Sequence, residues 1–265
     1  MIKCDTSGGL NYYQFESFLF NHCRHGIFTR HGGVSPAPWS SLNQGGTVGD
    51  SRENVVENRK KIFECIERPV SSIFDVWQVH GTNIVCAELP RRADEPHQKA
   101  DAIFTNNPDI SLFMRFADCV PILIYDPVKH VIGIIHAGWK GTVNNIIKKA
   151  VQTIQDKYSS NPNNIFAGIG PSIGPDHYEI GPEVGKKVKE TFCRNSDEVL
   201  LKINGSYHFD LWKAIEYQLH EQGINRIESA NMCTACNIAE WYSHRAEHGN
   251  TGRFGVIITL KGNND

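Results

Sequence analysis

The stretch Val120-Pro121-Ile122-Leu123-Ile124-Tyr125-Asp126-Pro127-Val128-Lys129-His130-Val131-Ile132-Gly133-Ile134-Ile135-His136 decides how this chain folds. Two apolar runs flank Asp126-Pro127-Val128-Lys129, with Asp at the first and Pro at the second position of a type I turn. Neither run alternates with polar residues, which predicts an antiparallel pair whose sheet is covered on both faces. Folding about the Pro127–Val128 bond sets Cys119 opposite His136, with Cβ atoms about 5 Å apart. A bulge at the turn, or Pro121 near the strand start, would shift that register.

Working outward, further strands are expected over 17–20, 73–79, 83–88, 110–116, 164–169 and 254–260, from apolar runs rich in Val, Ile and Phe. Four helices are readable. Asp50 and Glu53 form a capping box for one running to about Glu67. Thr142 caps a second, with Val143, Ile146, Ile147, Ala150, Val151 and Ile154 as one apolar stripe. A third spans about Pro182 to Cys193, and a fourth starts after Asp210 and stops at Gly223. No repeat or linker divides the chain, so residues 1–265 are expected to form a single α/β (α+β) domain, a layered mixed sheet covered by helices.

The 265 residues carry 27 Lys and Arg against 29 Asp and Glu, a net charge of −2. No global field draws the chain to nucleic acid or a membrane, so an anionic substrate has to be caught locally. No apolar run reaches the roughly 20 residues of a membrane span, and Met1 to Leu10 has no signal-like core. Eight irregularly spaced cysteines fit reduced thiols in a cytoplasmic protein, with Cys4, Cys23, Cys65, Cys86 and Cys193 read as buried apolar thiols.

Three residues stand at strand–turn junctions beside small or turn-forming neighbours: Gln78-Val79-His80-Gly81, Ala117-Asp118-Cys119-Val120-Pro121 and His136-Ala137-Gly138-Trp139-Lys140-Gly141-Thr142. Two imidazoles and a thiolate are a zinc-type donor set, and three protein donors leave a fourth position open, as catalytic sites do. Asp118 is a candidate support for them. For phosphate, the Gly138–Thr142 turn leads into a helix whose amides attract anions, and Arg30 and Lys140 add charge. Cys233-Thr234-Ala235-Cys236 is a single CxxC with no second pair or nearby histidine in sequence. It makes a poor zinc ribbon, and Cys236 is read as a packing or loop residue.

Taken in order, Arg30-His31-Gly32-Gly33-Val34-Ser35, Ser41-Leu42-Asn43, Val48-Gly49-Asp50 and Glu57-Asn58-Arg59 form part of a specific set. The three junction motifs, Ala100-Asp101-Ala102, Gly170-Pro171-Ser172-Ile173-Gly174, Cys233-Thr234, Ser243-x-Arg245 and Gly252-Arg253 complete it. Over most of the chain this set resembles the laccase-domain or YfiH-type family of purine nucleoside phosphorylases and polyphenol oxidases. The resemblance implies the YfiH-like (cytotoxic necrotizing factor-like) fold and a metal, zinc or alternatively copper, on His80, Cys119 and His136. It implies phosphorolysis of adenosine, inosine, guanosine and methylthioadenosine, adenosine deamination, and a functional arginine at Arg30. On that reading Cys119, His136 and Arg30 are catalytic, and Arg30, Lys140, Gly141 and Thr142 bind substrate or phosphate. Lys140 replaces a commoner Arg and Trp241-Tyr242 a more usual Phe-Phe, and Lys cannot bind phosphate in bidentate fashion.

Three other readings stay open. One is a copper polyphenol oxidase, which asks for more histidine ligands than can be placed. Another is an amidase that edits a peptidoglycan precursor, with Cys119 as nucleophile and His136 as base. The last is a non-catalytic, metal-stabilised interaction protein. Partners are expected to be small molecules, and the chain a monomer or small homo-oligomer.

Overall fold

The hairpin that opens the sequence reading forms the centre of the second of two stacked sheets. The structure, a computed structural model, describes residues 1–6, 8–19 and 23–262. One six-stranded sheet runs, in spatial order, Ile2–Asp5, Asn11–Gln14, Cys23–Phe28, Phe254–Leu260, Ser111–Phe116 and Ile73–Asp75. The other runs Arg226–Ser229, Phe166–Ile169, Val120–Asp126, Val131–Ala137, Ala102–Thr105 and Ile84–Cys86. Both are mixed: Ile73–Asp75 and Ile84–Cys86 pair parallel to their neighbours, and most other pairs are antiparallel. A three-stranded sheet of Glu179–Ile180, Ser206–Phe209 and Leu200–Ile203 sits to one side.

Period two in the hairpin explains its unbroken hydrophobicity. Ile122, Ile124 and Ile135 face the helices Ile146–Tyr158 and Leu211–Glu221, packing on Ile147, Ala150, Ile215 and Leu219. Leu123, Tyr125, Ile132 and Ile134 face the first sheet, packing with Met114, Phe116, Val256 and Ile258. That sheet's outer face is covered by Ile62 and Phe63 of the Arg52–Cys65 helix. The layers therefore run helix, sheet, sheet, helix, and each side chain of the hairpin lies within one of two cores. Cutting Ile135 to Ala would cost about 2–5 kcal/mol.

The register differs from the expected one by two residues. Val120 pairs with Ala137, Pro121 with His136 and Asp126 with Val131. The cause is a four-residue loop: Asp126 Oδ1 accepts from the amides of Val128 (2.9 Å) and Lys129 (3.1 Å), and His130 turns back at φ 52°. A shift of two keeps every side chain on its face. Cys119 thus stands diagonal to His136 rather than opposite it, which is still within side-chain reach.

Several other expectations are corrected. Residues 17–19 are not strand but part of a short Glu16–Leu19 helix, whose first amides donate to the Glu228 carboxylate; Phe20 lies outside the described residues. Ser51, not Asp50, caps the Arg52–Cys65 helix, accepting from the Asn54 amide; Asp50 instead accepts from Ser35 and Asn43. Thr142 caps nothing: it lies inside a short Trp139–Val143 helix, and the long stripe belongs to a separate helix beginning at Ile146. Asp210 does cap the Leu211–Glu221 helix, and Gly223 turns left-handed after it (φ 83°). Among the expected buried thiols only Cys23 is buried; Cys4, Cys65 and Cys86 are half-buried and Cys193 is exposed. Among the described residues no helix is long and apolar enough to cross a membrane.

Candidate metal centre

His136 ends the Val131–Ala137 strand, Cys119 immediately precedes Val120–Asp126, and His80 stands in the loop before Ile84–Cys86. Two central strand ends and one loop at the same end of the second sheet therefore deliver all three donors to one place. One ligand atom from each lies within 4.8 Å of the others, and the two imidazole centroids are 4.8 Å apart, edge to face. Gly138 makes room: a Cβ there would meet Cys119 Sγ at 2.9 Å and His80 Cδ2 at 3.4 Å. Both junctions hold non-glycine residues at positive φ, His80 at 58° and Asp118 at 82°, conformations that persist only where surrounding bonds enforce them.

At His80 the enforcing group is Asp101. Its Oδ1 lies 2.8 Å from His136 Nδ1 and accepts the His80 amide (2.8 Å), while Oδ2 accepts the Gly81 amide (2.7 Å). Its carbonyl takes the His136 amide (2.7 Å). One buried aspartate thus fixes the His136 ring and the His80 backbone together, leaving His136 Nε2 to face Cys119. Asp118, expected to support the donors, does something else: it accepts from Thr234 Oγ1 (2.7 Å) and the Arg245 amide (2.6 Å), tying down the C-terminal segment. Burial works against the Cys119 thiolate, yet His136 and then His80 outweigh it and bring the thiol down to about 6. Burial likewise opposes charge on His136, and Cys119 and Asp101 override it, raising the imidazole to about 9. The donor set therefore favours a thiolate, the form that binds a metal.

Comparison with known proteins identifies the family. Residues 24–261 match the family model described as multi-copper polyphenol oxidoreductase laccase. The chain belongs to that family. Among its relatives, the purine nucleoside phosphorylase YlmD of Bacillus subtilis (strain 168) is 34% identical over 244 residues, covering 89% of this chain and 88% of that protein. The purine nucleoside phosphorylase YfiH of Escherichia coli (strain K12) is 31% identical over 234 residues, covering 88% and 91%. The crystal structure of YlmD from Geobacillus stearothermophilus superposes with a TM-score of 0.91 at 30% identity, over 98% of this chain and 99% of that one.

In this laccase-family chain the centre opens into a cleft of about 1450 Å³. None of the four residues expected to bind phosphate lines it. Arg30 is consumed by the fold: it donates to the carbonyls of Ser40 (2.9 Å) and Ile238 (2.6 Å), pairs with Glu247 (3.1 Å) and stacks 4.5 Å over Tyr242. Thr142 is fully buried, and both its amide and its hydroxyl donate to the Gly138 carbonyl (3.0 Å each). Gly141 is buried beside the Gly81 carbonyl, and Lys140 points outward over Trp139.

Arg245 and Arg253 line the cleft instead, as do Arg52, Arg59, Arg91, Arg92 and Arg115. Arg115 and Arg91 are spent on buried Asp75, at 3.2 and 2.8 Å. Arg253 is anchored through Nη1 on the Thr251 and Gly252 carbonyls, and Arg245 through Nη1 on Glu179 and His177. The Nε and Nη2 donors of both have no protein hydrogen bond among the described residues. Sequence reading missed Asp101, Arg245 and Arg253 as functional groups. All three lie in quoted motifs, Ala100-Asp101-Ala102, Ser243-x-Arg245 and Gly252-Arg253, so the signal was present without a role attached.

Proposed function

We propose that this chain is a metal-dependent purine nucleoside phosphorylase, acting on adenosine, inosine, guanosine and S-methyl-5′-thioadenosine and also deaminating adenosine. The observation that carries the reading is the convergence of His80, Cys119 and His136 on the floor of a cleft large enough for a nucleoside and phosphate together. The names of the relatives point the same way.

His80, Cys119 and His136 would hold the metal, and zinc suits two imidazoles and a thiolate. Bound there, it would supply Lewis acidity toward a substrate oxygen or water. Asp101 keeps His136 in one tautomer and orientation. Arg253 and Arg245 offer guanidinium donors for phosphate, in the role expected of Arg30. Burial lowers the Arg253 guanidinium below its ordinary value and the negative charges of Cys119 and Asp118 oppose this, so the arginine sits beside the centre. Trp77, exposed on the cleft wall, would offer an aromatic face to the purine, while the Tyr178 ring lies under the Arg245 guanidinium at 5.2 Å. In phosphorolysis a phosphate oxygen bonds C1′ as the C1′–N9 bond breaks, and the hydrogen phosphate proton passes to the departing base. In deamination water adds at C6 and ammonia leaves.

Incubation of metal-loaded protein with inosine and phosphate is expected to release hypoxanthine and ribose 1-phosphate. Failure to form either, with metal bound and the chain folded, overturns the reading. One observation favours a second: Cys119, His136 and Asp101 are also a nucleophile, base and orienting carboxylate in series. A cysteine hydrolase of that kind, such as an amidase acting on a peptidoglycan precursor, keeps its activity after chelation, whereas the phosphorylase loses it.

A further inference from the structure

We propose that the chain carries a second metal site, built from Asp176, His177, Cys233 and Cys236, that takes a zinc-class ion and staples two loops of the cleft wall. The sequence separates the Asp176–His177 pair from Cys233 and Cys236 by more than fifty positions, and the fold brings them together. Cys236 Sγ lies 3.5 Å from His177 Nδ1 and 3.3 Å from an Asp176 carboxylate oxygen. Cys233 Sγ lies 3.9 Å from the same nitrogen, and that nitrogen 3.0 Å from Asp176. A tetrahedral ion with bonds of about 2.3 Å to sulfur and about 2.0 Å to nitrogen or oxygen separates its donors by about 3.3–3.8 Å. The four separations, 3.0 to 3.9 Å, bracket that range, and all four donor atoms lie within 4.8 Å of one another.

Two further features prepare the site. Cys233 Sγ accepts the amides of Gly174 (3.1 Å) and Cys236 (3.4 Å), bonds that aim its sulfur. Gly174 admits this approach, since a Cβ there would stand 2.7 Å from Asp176 Oδ1 and 3.1 Å from Cys233 Cβ. Two thiolates with an imidazole and a carboxylate select a soft or borderline ion such as zinc over magnesium or calcium. Four protein donors leave no open position, so the ion is structural.

What it would hold is specific. One loop continues into Tyr178, a cleft wall residue, and its His177 and Glu179 carbonyls anchor Arg245. The other carries Thr234, which binds Asp118 beside Cys119. None of the four donors has a part in phosphorolysis.

The test uses the full chain, purified in reducing buffer and dialysed exhaustively. The parent is expected to retain about two zinc equivalents by elemental analysis, and Cys236→Ser about one. His177→Gln, also at the surface, gives the same count should Cys236→Ser not fold. After loading with cobalt(II), Cys119→Ala is expected to keep thiolate-to-cobalt absorption bands that Cys119→Ala/Cys236→Ser lacks. Equal zinc in parent and Cys236→Ser overturns the proposal. So does a folded Cys119→Ala protein without those bands, or an intact mass showing a Cys233–Cys236 disulfide in place of metal.

Discussion

Two clusters of soft donors stand in this molecule, and they differ in count, mounting and support. Cys119 and His136 sit at the ends of two central strands and His80 on an adjoining loop, with both histidines held by the buried Asp101 carboxylate. Asp176, His177, Cys233 and Cys236 sit on two loops, three of the four exposed, with their donor atoms within 4.8 Å of one another. Three donors anchored to the sheet leave room for a reactant. Four donors on loops fill the shell and turn binding energy into loop order. Position in the fold thus separates a candidate catalytic centre from a candidate structural one, although both draw on cysteine, histidine and aspartate.

The contrast is broken most directly at Cys119. Cys119→Ala is expected to stay folded by circular dichroism and to lose phosphorolysis, by well over the 10- to 100-fold that loss of a supporting hydrogen bond costs. Unfolding instead would make the first cluster the structural one. Asp101→Asn comes next: metal affinity, from chelator competition, should fall about 10- to 100-fold, because the His136 ring loses its charged partner. Arg253→Ala should raise KM for phosphate about tenfold or more, the worth of a charge-assisted hydrogen bond, with nucleoside KM changing less. Arg30→Ala should leave phosphate KM within about twofold and lower stability to urea by about 2–4 kcal/mol, since Glu247 loses its partner. Smallest is Cys236→Ser, which should lower Tm by about 5 °C or more and leave the Cys119 centre loaded.

How far the sequence carried the fold can be seen in the hairpin. Its two-sided burial and the common face of Cys119 and His136 were legible, because apolar content and period two survive any even shift. The register was not, because it depends on His130 entering a left-handed conformation that composition does not mark. The short strands over 11–14, 102–105 and 206–209 also escaped, since each is only four residues long and draws its stability from neighbours distant in sequence. At the site, donors could be named from their chemistry, but commitments could not. Arg30 offers the charge that phosphate needs, and only the fold shows that Ser40, Ile238, Glu247 and Tyr242 already use it. Cys236 read as a packing or loop residue because the other half of its cluster, Asp176 and His177, lies far away in sequence.

Asp101 has one last consequence. The His80 backbone and the His136 ring hang from the same oxygen, so they form a yoke rather than two independent arms. A displacement of the strand that begins at Ala102 carries both imidazoles together and preserves the gap between them. The spacing of the two imidazoles is therefore set by one carboxylate and not by the cleft walls around Tyr178 and Arg245.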